Sequence, residues 1–389
     1  MPVAVLRSLF EALAGAAGVE VAGLGVFGLV VTAVDGTVVD LADTAEMRER
    51  YATPSGGRFP QARIVTLVVC GTRRVLGAVV DSCARSDQAL WDQLVTQLAP
   101  GTLNLADRNF FSMHRWRTAA GTGAHLVWRV KNGAKSLPAK VISTFADGSH
   151  LVALRESDSM LTARRKASGD KVALRLEDVT ARLVEFTVTL TDEAGRSRTT
   201  QFRVLTTHLD HHAYPAQEVA ACYAQRWQVE LVDKTIKSTL RGSGRRLRGQ
   251  APDLAEQEIW GLLTVCNALV DQAITAAVDL DVDPDEISFT AVLHATRDHL
   301  APPCRACGHH TNGTDLTNAI ITGPRNRTDR DRTSPRTAKD RGDPTHPKRH
   351  LHHRDHANES TQRGMKRLNF RAVGTDLTIN YTVKDHDVA

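Results

Sequence analysis

The chain lacks the features that would place it outside the cell or in a membrane. Its six cysteines, Cys70, Cys83, Cys222, Cys266, Cys304 and Cys307, are few for 389 residues and follow no disulfide-framework spacing. A reducing cytosol is the simplest setting for such a chain. The apolar N-terminal stretch is interrupted by Glu11 and Glu20 and runs into Asp35, so it offers no clean run long enough to cross a bilayer. This argues against both a spanning segment and a signal peptide. There is no Walker-type glycine loop, no Ser/His/Asp set and no internal repeat, which sets aside P-loop nucleotidases, serine hydrolases and solenoids.

What is present is ordinary globular composition, with 42% hydrophobic and 24% charged residues, enough for two or three domains around a sizeable core. The net charge of +5 is unevenly placed. From Pro324 to Arg371 the chain carries 14 Lys and Arg against 6 Asp and Glu, a local +8, which leaves −3 for the rest. A near-neutral body with a basic tail points to a polyanionic partner, nucleic acid before membrane.

Residues 1–25 form a helical or loop lead-in. VFGLVVTAVDGTVVDL (26–41) predicts two strands around an Asp35-Gly36 turn, because Asp-Gly between β-formers is a hairpin signal. RIVTLVVC and RVLGAVVD predict a strand pair, SDQALWDQLVTQL a helix, TLNLAD a strand, HRWRTAAGTG a helix and AHLVWRVK a strand. Residues 132–206 change character. VALRL, LVEFTVTL and RTTQFRVLTT, separated by polar turns, predict a β-rich insertion before the next helix. Pro215 sits where a helix would begin, and residues 252–278 predict a long buried helix. The tail 301–389 is basic, and its 324–371 stretch is poor enough in aliphatic residues to be disordered.

Residues 223–237, YAQRWQVELVDKTIK, hold the chemistry. At roughly 100° per residue, Tyr223, Arg226, Glu230, Lys234 and Lys237 fall on one stripe of a helix. One reading is a solvated face, with pairs Arg226–Glu230 and Glu230–Lys234 contributing about 0.2–0.5 kcal/mol each. The other is a metal-binding carboxylate kept ionised by cations that also suit phosphate. A metal carboxylate needs partners, and Asp35 and Asp107 follow predicted strands. Acids at adjacent strand ends, met by one from a helix, can converge on hard cations. Two such ions roughly 3.5–4 Å apart can stabilise both oxygens of an in-line phosphoryl displacement. Asp35 and Asp107 also read as turn or cap residues, and Asp40, Asp43 and Asp81 are rival acids.

The spacing of Tyr223, Arg226, Glu230 and Lys237 resembles the Y-R-E-K signature of DDE transposases of the insertion-sequence-four type, with Trp227 and Lys234 also in the family pattern. AVDGT (33–37), the strand pair within 59–74, residues 100–131 and the approach to the helix at 209–231 extend the resemblance over about 24–270. It implies an α/β, ribonuclease-H-like mixed sheet flanked by helices. The expected organisation is an N-terminal helical remnant (1–25), a first core part (26–131), a β-rich insertion (132–206), a second core part with the Glu helix (207–300) and a tail (301–389).

The resemblance also implies function. Asp35, Asp107 and Glu230 would be catalytic, metal-holding acids for Mg²⁺, with Mn²⁺ as the alternative. Tyr223, Arg226, Trp227, Lys234, Lys237 and Arg129 would contact DNA. The implied activity is cleavage at the ends of a mobile element and 3′-OH strand transfer into target DNA. The implied partners are double-stranded DNA and a second copy of the chain, with no membrane, in the nucleoid of the cytoplasm. Two departures stand out. Little precedes the core, so the family's N-terminal DNA-binding domain is expected to be largely missing. No Trp lies between Trp128 and Trp227 where relatives place one. An inactive DNA-binding remnant and a nuclease without strand transfer are therefore the alternatives. Cys304-x-x-Cys307-Gly-His309-His310 has zinc-ligand types, but its second pair is crowded and it reads as a loop. His208, His211 and His212 read as loop residues, and the tail histidines as a polar tract.

Overall fold

The computed structural model describes residues 2–16, 25–133, 137–191, 197–242, 246–300 and 315–326, with the short pairs 336–337 and 367–368. Two compact units are present, and the first, within Met1–Glu185 and Arg203–Asn326, holds the features below. The expected tail disorder and the Cys304/Cys307 loop lie outside the described residues.

In chain order the first unit runs α1 (Val3–Ala16), β1 (Val30–Asp40), α2 (Ala45–Arg50), β2 (Gln61–Val69), β3 (Val75–Ser82), α3 (Asp87–Leu94), β4 (Thr102–Ala106), α4 (Met113–Gly121) and β5 (His125–Arg129). β6 (Ala139–Thr144), β7 (His150–Leu154), α5 (Asp158–Ser168), β8 (Val179–Thr191) and β9 (Ser197–Thr206) follow, β8 from Phe186 and β9 as far as Phe202 falling in the second unit. Then come α6 (Ala216–Ala224), α7 (Trp227–Lys234), α8 (Pro252–Leu280), α9 (Phe289–Leu300) and α10 (Leu316–Ile321).

The strands form one mixed sheet in the order β3-β2-β1-β4-β5-β9-β8-β7-β6. β1, β4 and β5 are parallel, and β2 is antiparallel to both β1 and β3. The order 3-2-1-4-5 with only β2 reversed is the ribonuclease-H-like arrangement expected above.

Three local expectations need correction. The segment 26–41 is not a hairpin. β1 is one continuous strand whose pairing with β2 runs unbroken from Thr32↔Val69 to Asp40↔Gln61, straight through Asp35-Gly36. Asp35 therefore lies mid-strand rather than at a strand end. The glycine answers a packing demand: a Cβ on Gly36 would collide with the carboxylate of Asp87, at the start of α3. Asp87 cannot easily yield, because it pairs with Arg63 of β2 and accepts from Asn109 Nδ2 at 3.2 Å. Gly36→Ala is expected to cost about 1–3 kcal/mol by overpacking, measured by urea denaturation. Secondly, VALRL (172–176) is not a strand; β6, β7 and the helix α5, capped by Ser157, occupy the insertion instead. The insertion's strands extend the sheet beyond β5. Thirdly, α10 folds where only tail was expected, with Ile320 buried against Ile287 and Val292.

One face of the sheet packs under α3 and α4. Trp128 of β5 sits between Trp91 and Trp116, with ring centroids 6.2 and 5.7 Å away. Its indole N–H donates to Asn104 of β4 at 2.9 Å, and Asn104 in turn donates to Thr32 of β1 at 3.1 Å, so the buried polar atoms of three strands satisfy one another. α7 packs on β1 and β2. It is pinned by buried Gln228, which accepts from the Gly71 backbone at 2.9 Å and donates to Asp285 at 3.2 Å. α8 is apolar and long enough to cross a membrane by length and composition. Here it is a core helix, with Ile259, Trp260, Leu263 and Cys266 buried and Phe10 of α1 set 5.4 Å from Trp260.

Candidate active site

Alternation along the strands decides which side chains share a face. Val34, Ala106 and Trp128 belong to the cluster under α3 and α4. Their neighbours Asp35, Asp107 and Arg129 therefore point to the opposite face, where α7 packs. Register then aligns them. β1 and β4 pair in parallel as far as Ala33↔Leu105, and the same register continued by two residues sets Asp35 opposite Asp107. β4 and β5 pair as far as Ala106↔Trp128, and one further residue sets Asp107 opposite Arg129. The continued register thus sets three candidate site residues side by side, on or just past strands spaced about 4.8 Å apart.

α7 brings the rest. Arg226 donates to Glu230 Oε1 at 2.9 Å and lies 3.6 Å from Asp35 Oδ2, so one guanidinium spans the helix acid and the strand acid. Arg129 lies 3.7 Å from Asp107. Burial, the largest effect, pushes the Asp35 carboxyl up to about 6. Arg226 and the Gly36 N–H oppose that rise, while Glu230 and Asp107 add to it. Burial works against the charge on Arg226, yet Tyr223, Asp35, Asp107 and Glu230 together hold its pKa above the ordinary value. The three acids proposed from sequence therefore share one electrostatic neighbourhood, with Arg226 at its centre.

A pH dependence follows. A carboxyl whose folded pKa of about 6 exceeds its ordinary value of 3.8 binds its proton more tightly folded than unfolded. Its contribution is therefore lost as pH rises through 4 to 6. In EDTA, Asp35→Asn should gain stability over the parent across that window, by up to about 3 kcal/mol, as read by denaturant unfolding at pH 4 and pH 7.

The helix itself is not the straight rod that the stripe assumed. Arg226 N–H bonds to Tyr223 O and Gln228 N–H to Gln225 O, so the chain between α6 and α7 is tightened to i→i−3 bonds. Three residues per turn bring Tyr223 directly over Arg226. Tyr223 is accordingly buried, and burial raises its phenol pKa. Trp227 is half-buried and Lys234 exposed. Among the described residues no ion pair joins Lys234 to Glu230. Lys237 lies in a π-helical turn, Thr235–Leu240.

The rival acids are engaged elsewhere: Asp40 accepts from Gln61 at 2.7 Å, Asp43 from Arg48 at 2.6 Å, and Asp81 from Arg50 at 3.1 Å. Two features escaped sequence reasoning. One is the Asp87–Arg63–Asn109 group behind Gly36. The other is Asp233, a half-buried acid three residues after Glu230, whose carboxyl is raised above the carboxylate range by desolvation, with Asp35 and Glu230 adding to the rise. Its i+3 spacing from Glu230 was the available signal.

As they stand, no three His, Cys, Asp or Glu side chains among the described residues are close enough to share one ion. The donor set nevertheless fits a divalent cation: hard carboxylate oxygens from two strands and one helix, and an acid, Asp35, raised by burial and like charge, which a cation would relieve.

The model of the transposase DDE domain matches residues 27–268. The chain belongs to that family. The DDE domain thus covers β1 through most of α8, including every site residue above. The chain is 30% identical over 270 residues to the transposase InsG for insertion sequence element IS4 of Escherichia coli K12, a match covering 68% of this chain and 57% of InsG. It is also 38% identical over 76 residues to the transposase for insertion sequence element IS421 of Escherichia coli, 20% of either chain. The chain spans little more than half the length of InsG. Among solved structures it superposes loosely, with a TM-score of 0.38 and 10% identity, on a piggyBac transposase from a cryo-EM structure of its synaptic complex with hairpin DNA, covering 75% of this chain and 57% of that one. Membership of the DDE family carries an expectation of divalent-metal dependence.

Proposed function

We propose that this chain is a DNA transposase that cleaves at the ends of an insertion sequence and joins the freed 3′-OH to target DNA. The observation that carries the reading is the grouping around Arg226 of Asp35 on β1, Asp107 just past the end of its parallel neighbour β4, and Glu230 on α7. In this reading 26–131 and 207–300 form the catalytic core and 132–206 its insertion.

Asp35, Asp107 and Glu230 would hold Mg²⁺, with Mn²⁺ able to replace it. When bound, such ions activate the attacking oxygen and stabilise the leaving one. The chain's own residues do the remaining work. Exposed Lys234 and half-buried Trp227 offer charge and stacking surface to a DNA end. Lys237, Arg129 and Arg226 place positive charge around the acids, where phosphate would enter. Buried Tyr223 orients Arg226 from behind. Cations of this kind supply salt-sensitive, sequence-independent affinity. Two copies acting on paired element ends, in the nucleoid of the cytoplasm, complete the reading.

The test uses the full chain with duplexes carrying the terminal repeats that flank its coding sequence. Mg²⁺-dependent nicking of intact ends, and joining of pre-cut 3′-OH ends into a plasmid, are expected. Nicking without joining would leave a nuclease, and DNA binding with neither would leave an inactive remnant.

A further inference from the structure

From Lys234 to Pro252 the chain carries six Lys and Arg and no Asp or Glu. This segment leaves the site with α7 and reaches the far end of β1, where the Leu247 N–H donates to Asp40 O at 3.3 Å. Its last part is firmly seated. Leu247 is buried, the Thr44 hydroxyl donates to Gln250 O at 3.0 Å, and a Cβ on Gly249 would collide with the backbone of Leu254 and Ala255. With the leucine turned inward, Arg246 and Arg248 are exposed.

Arg246 lies over the ring of half-buried Phe59, 4.3 Å from its centroid, and exposed Arg58 lies over the same ring at 5.2 Å. Phe59 stands beside the same strand end, because its neighbour Pro60 accepts from the Leu41 N–H at 2.9 Å. Two acids close by are already engaged. Asp43 accepts from Arg48 Nε at 2.6 Å, and Glu258 accepts the backbone N–H groups of Arg248 and Gly249 at 2.7 and 3.1 Å. Among the described residues no ion pair joins Arg58, Arg246 or Arg248 to an acid. Two guanidiniums on one ring repel each other, and a phosphodiester between them would relieve that repulsion. The ring also fixes their planes, which suits bidentate contact with phosphate oxygens.

We propose that Arg58, Arg246 and Arg248 form a remote contact for the phosphate backbone of duplex DNA, apart from the residues around the acids. Asp40 follows Asp35 by five residues of one strand, so the contact lies about 17 Å from the acids. At about 3.4 Å per base pair this is roughly five base pairs along a duplex whose reacting phosphate sits at Asp35. That placement rests on the reading of Asp35 as part of the active site; the contact itself does not.

The experiment measures binding of the full chain to a duplex holding one terminal repeat and its flanking DNA, in EDTA, by fluorescence anisotropy over a salt series. Each of Arg58→Ala, Arg246→Ala and Arg248→Ala should reduce the slope of log affinity against log salt by about 0.9, and the three together by about 2.7. Arg246→Lys keeps the charge and should keep the parental slope, which separates lost charge from lost fold. Arg7→Ala, whose arginine pairs with Glu11 on α1, serves as the control and should also keep it. Uncharged methylphosphonates are then set about five base pairs from the outer end of the repeat, on the element side in one duplex and on the flanking side in another. One of the two should weaken the parent and leave the triple variant unchanged, and it identifies the arm of DNA that is held. A parental slope in the triple variant overturns the proposal, and a parent indifferent to both duplexes overturns its placement. A reduced slope in a chain that neither nicks nor joins DNA keeps the contact and removes the reading of the active site.

Discussion

Glu230→Gln is expected to lower Mg²⁺-dependent cleavage of element ends by a factor on the order of 10³ or more, while DNA binding in EDTA stays within about twofold. The asymmetry follows from geometry. Glutamine keeps the size of the side chain, and its amide oxygen can still accept the hydrogen bond that Arg226 now gives Glu230 at 2.9 Å. α7 is held by Gln228 and by its buried Val229 and Val232, which the substitution leaves in place. What is lost is one anionic oxygen donor for a hard cation. Phosphate affinity depends on the cations around the acids, which remain. Gel-shift and cleavage assays on the same preparation measure both quantities. Cleavage at the parental rate would show that Glu230 holds no metal.

Arg226→Ala is expected to be the most destabilising single change at the site, costing about 3–5 kcal/mol at neutral pH without divalent ions. Its guanidinium lies within reach of both Asp35 and Glu230 and is mostly buried. Its removal leaves two buried-edge acids facing each other with no intervening cation. Two features separate this mechanism from simple cavity formation. The deficit should shrink as pH falls through about 6, where Asp35 takes up its proton, and it should shrink when Mg²⁺ is added, because a bound cation takes over part of the charge compensation. A deficit that is the same at pH 4 and pH 7, with and without Mg²⁺, would mean that Arg226 acts only through packing. Urea denaturation under the four conditions decides.

Much of this was legible in the sequence, for reasons that differ by element. The Glu helix could be read because spacing along a helix maps directly onto a face. The strand pair β2–β3 could be read because both strands are rich in β-branched residues and flank a short Gly-containing turn. Asp35 is legible as a candidate acid, but it lies mid-strand rather than at a strand end. Asp-Gly is a local hairpin signal, whereas the glycine here serves a long-range contact with Asp87, 51 positions along the chain, which no local rule reports. The alignment of Asp35, Asp107 and Arg129 in one row depends on register between parallel strands, and that is set by tertiary packing. Asp233 went unnoticed because a polar residue on an amphipathic helix is expected to face water. The insertion was seen as β-rich, but its helix α5 was missed although Ser157 and Gly169 mark its ends, and the strand β6 was missed because nearly all its residues are exposed.

The most direct measurement of the central claim replaces Mg²⁺ with Fe²⁺ in the full chain and maps where ascorbate and peroxide cut the backbone. Iron seated among the three acids predicts cuts in three separated segments, around Asp35, Asp107 and Glu230, all suppressed by excess Mg²⁺. Cuts near only one of these residues, or cuts indifferent to Mg²⁺, would contradict it.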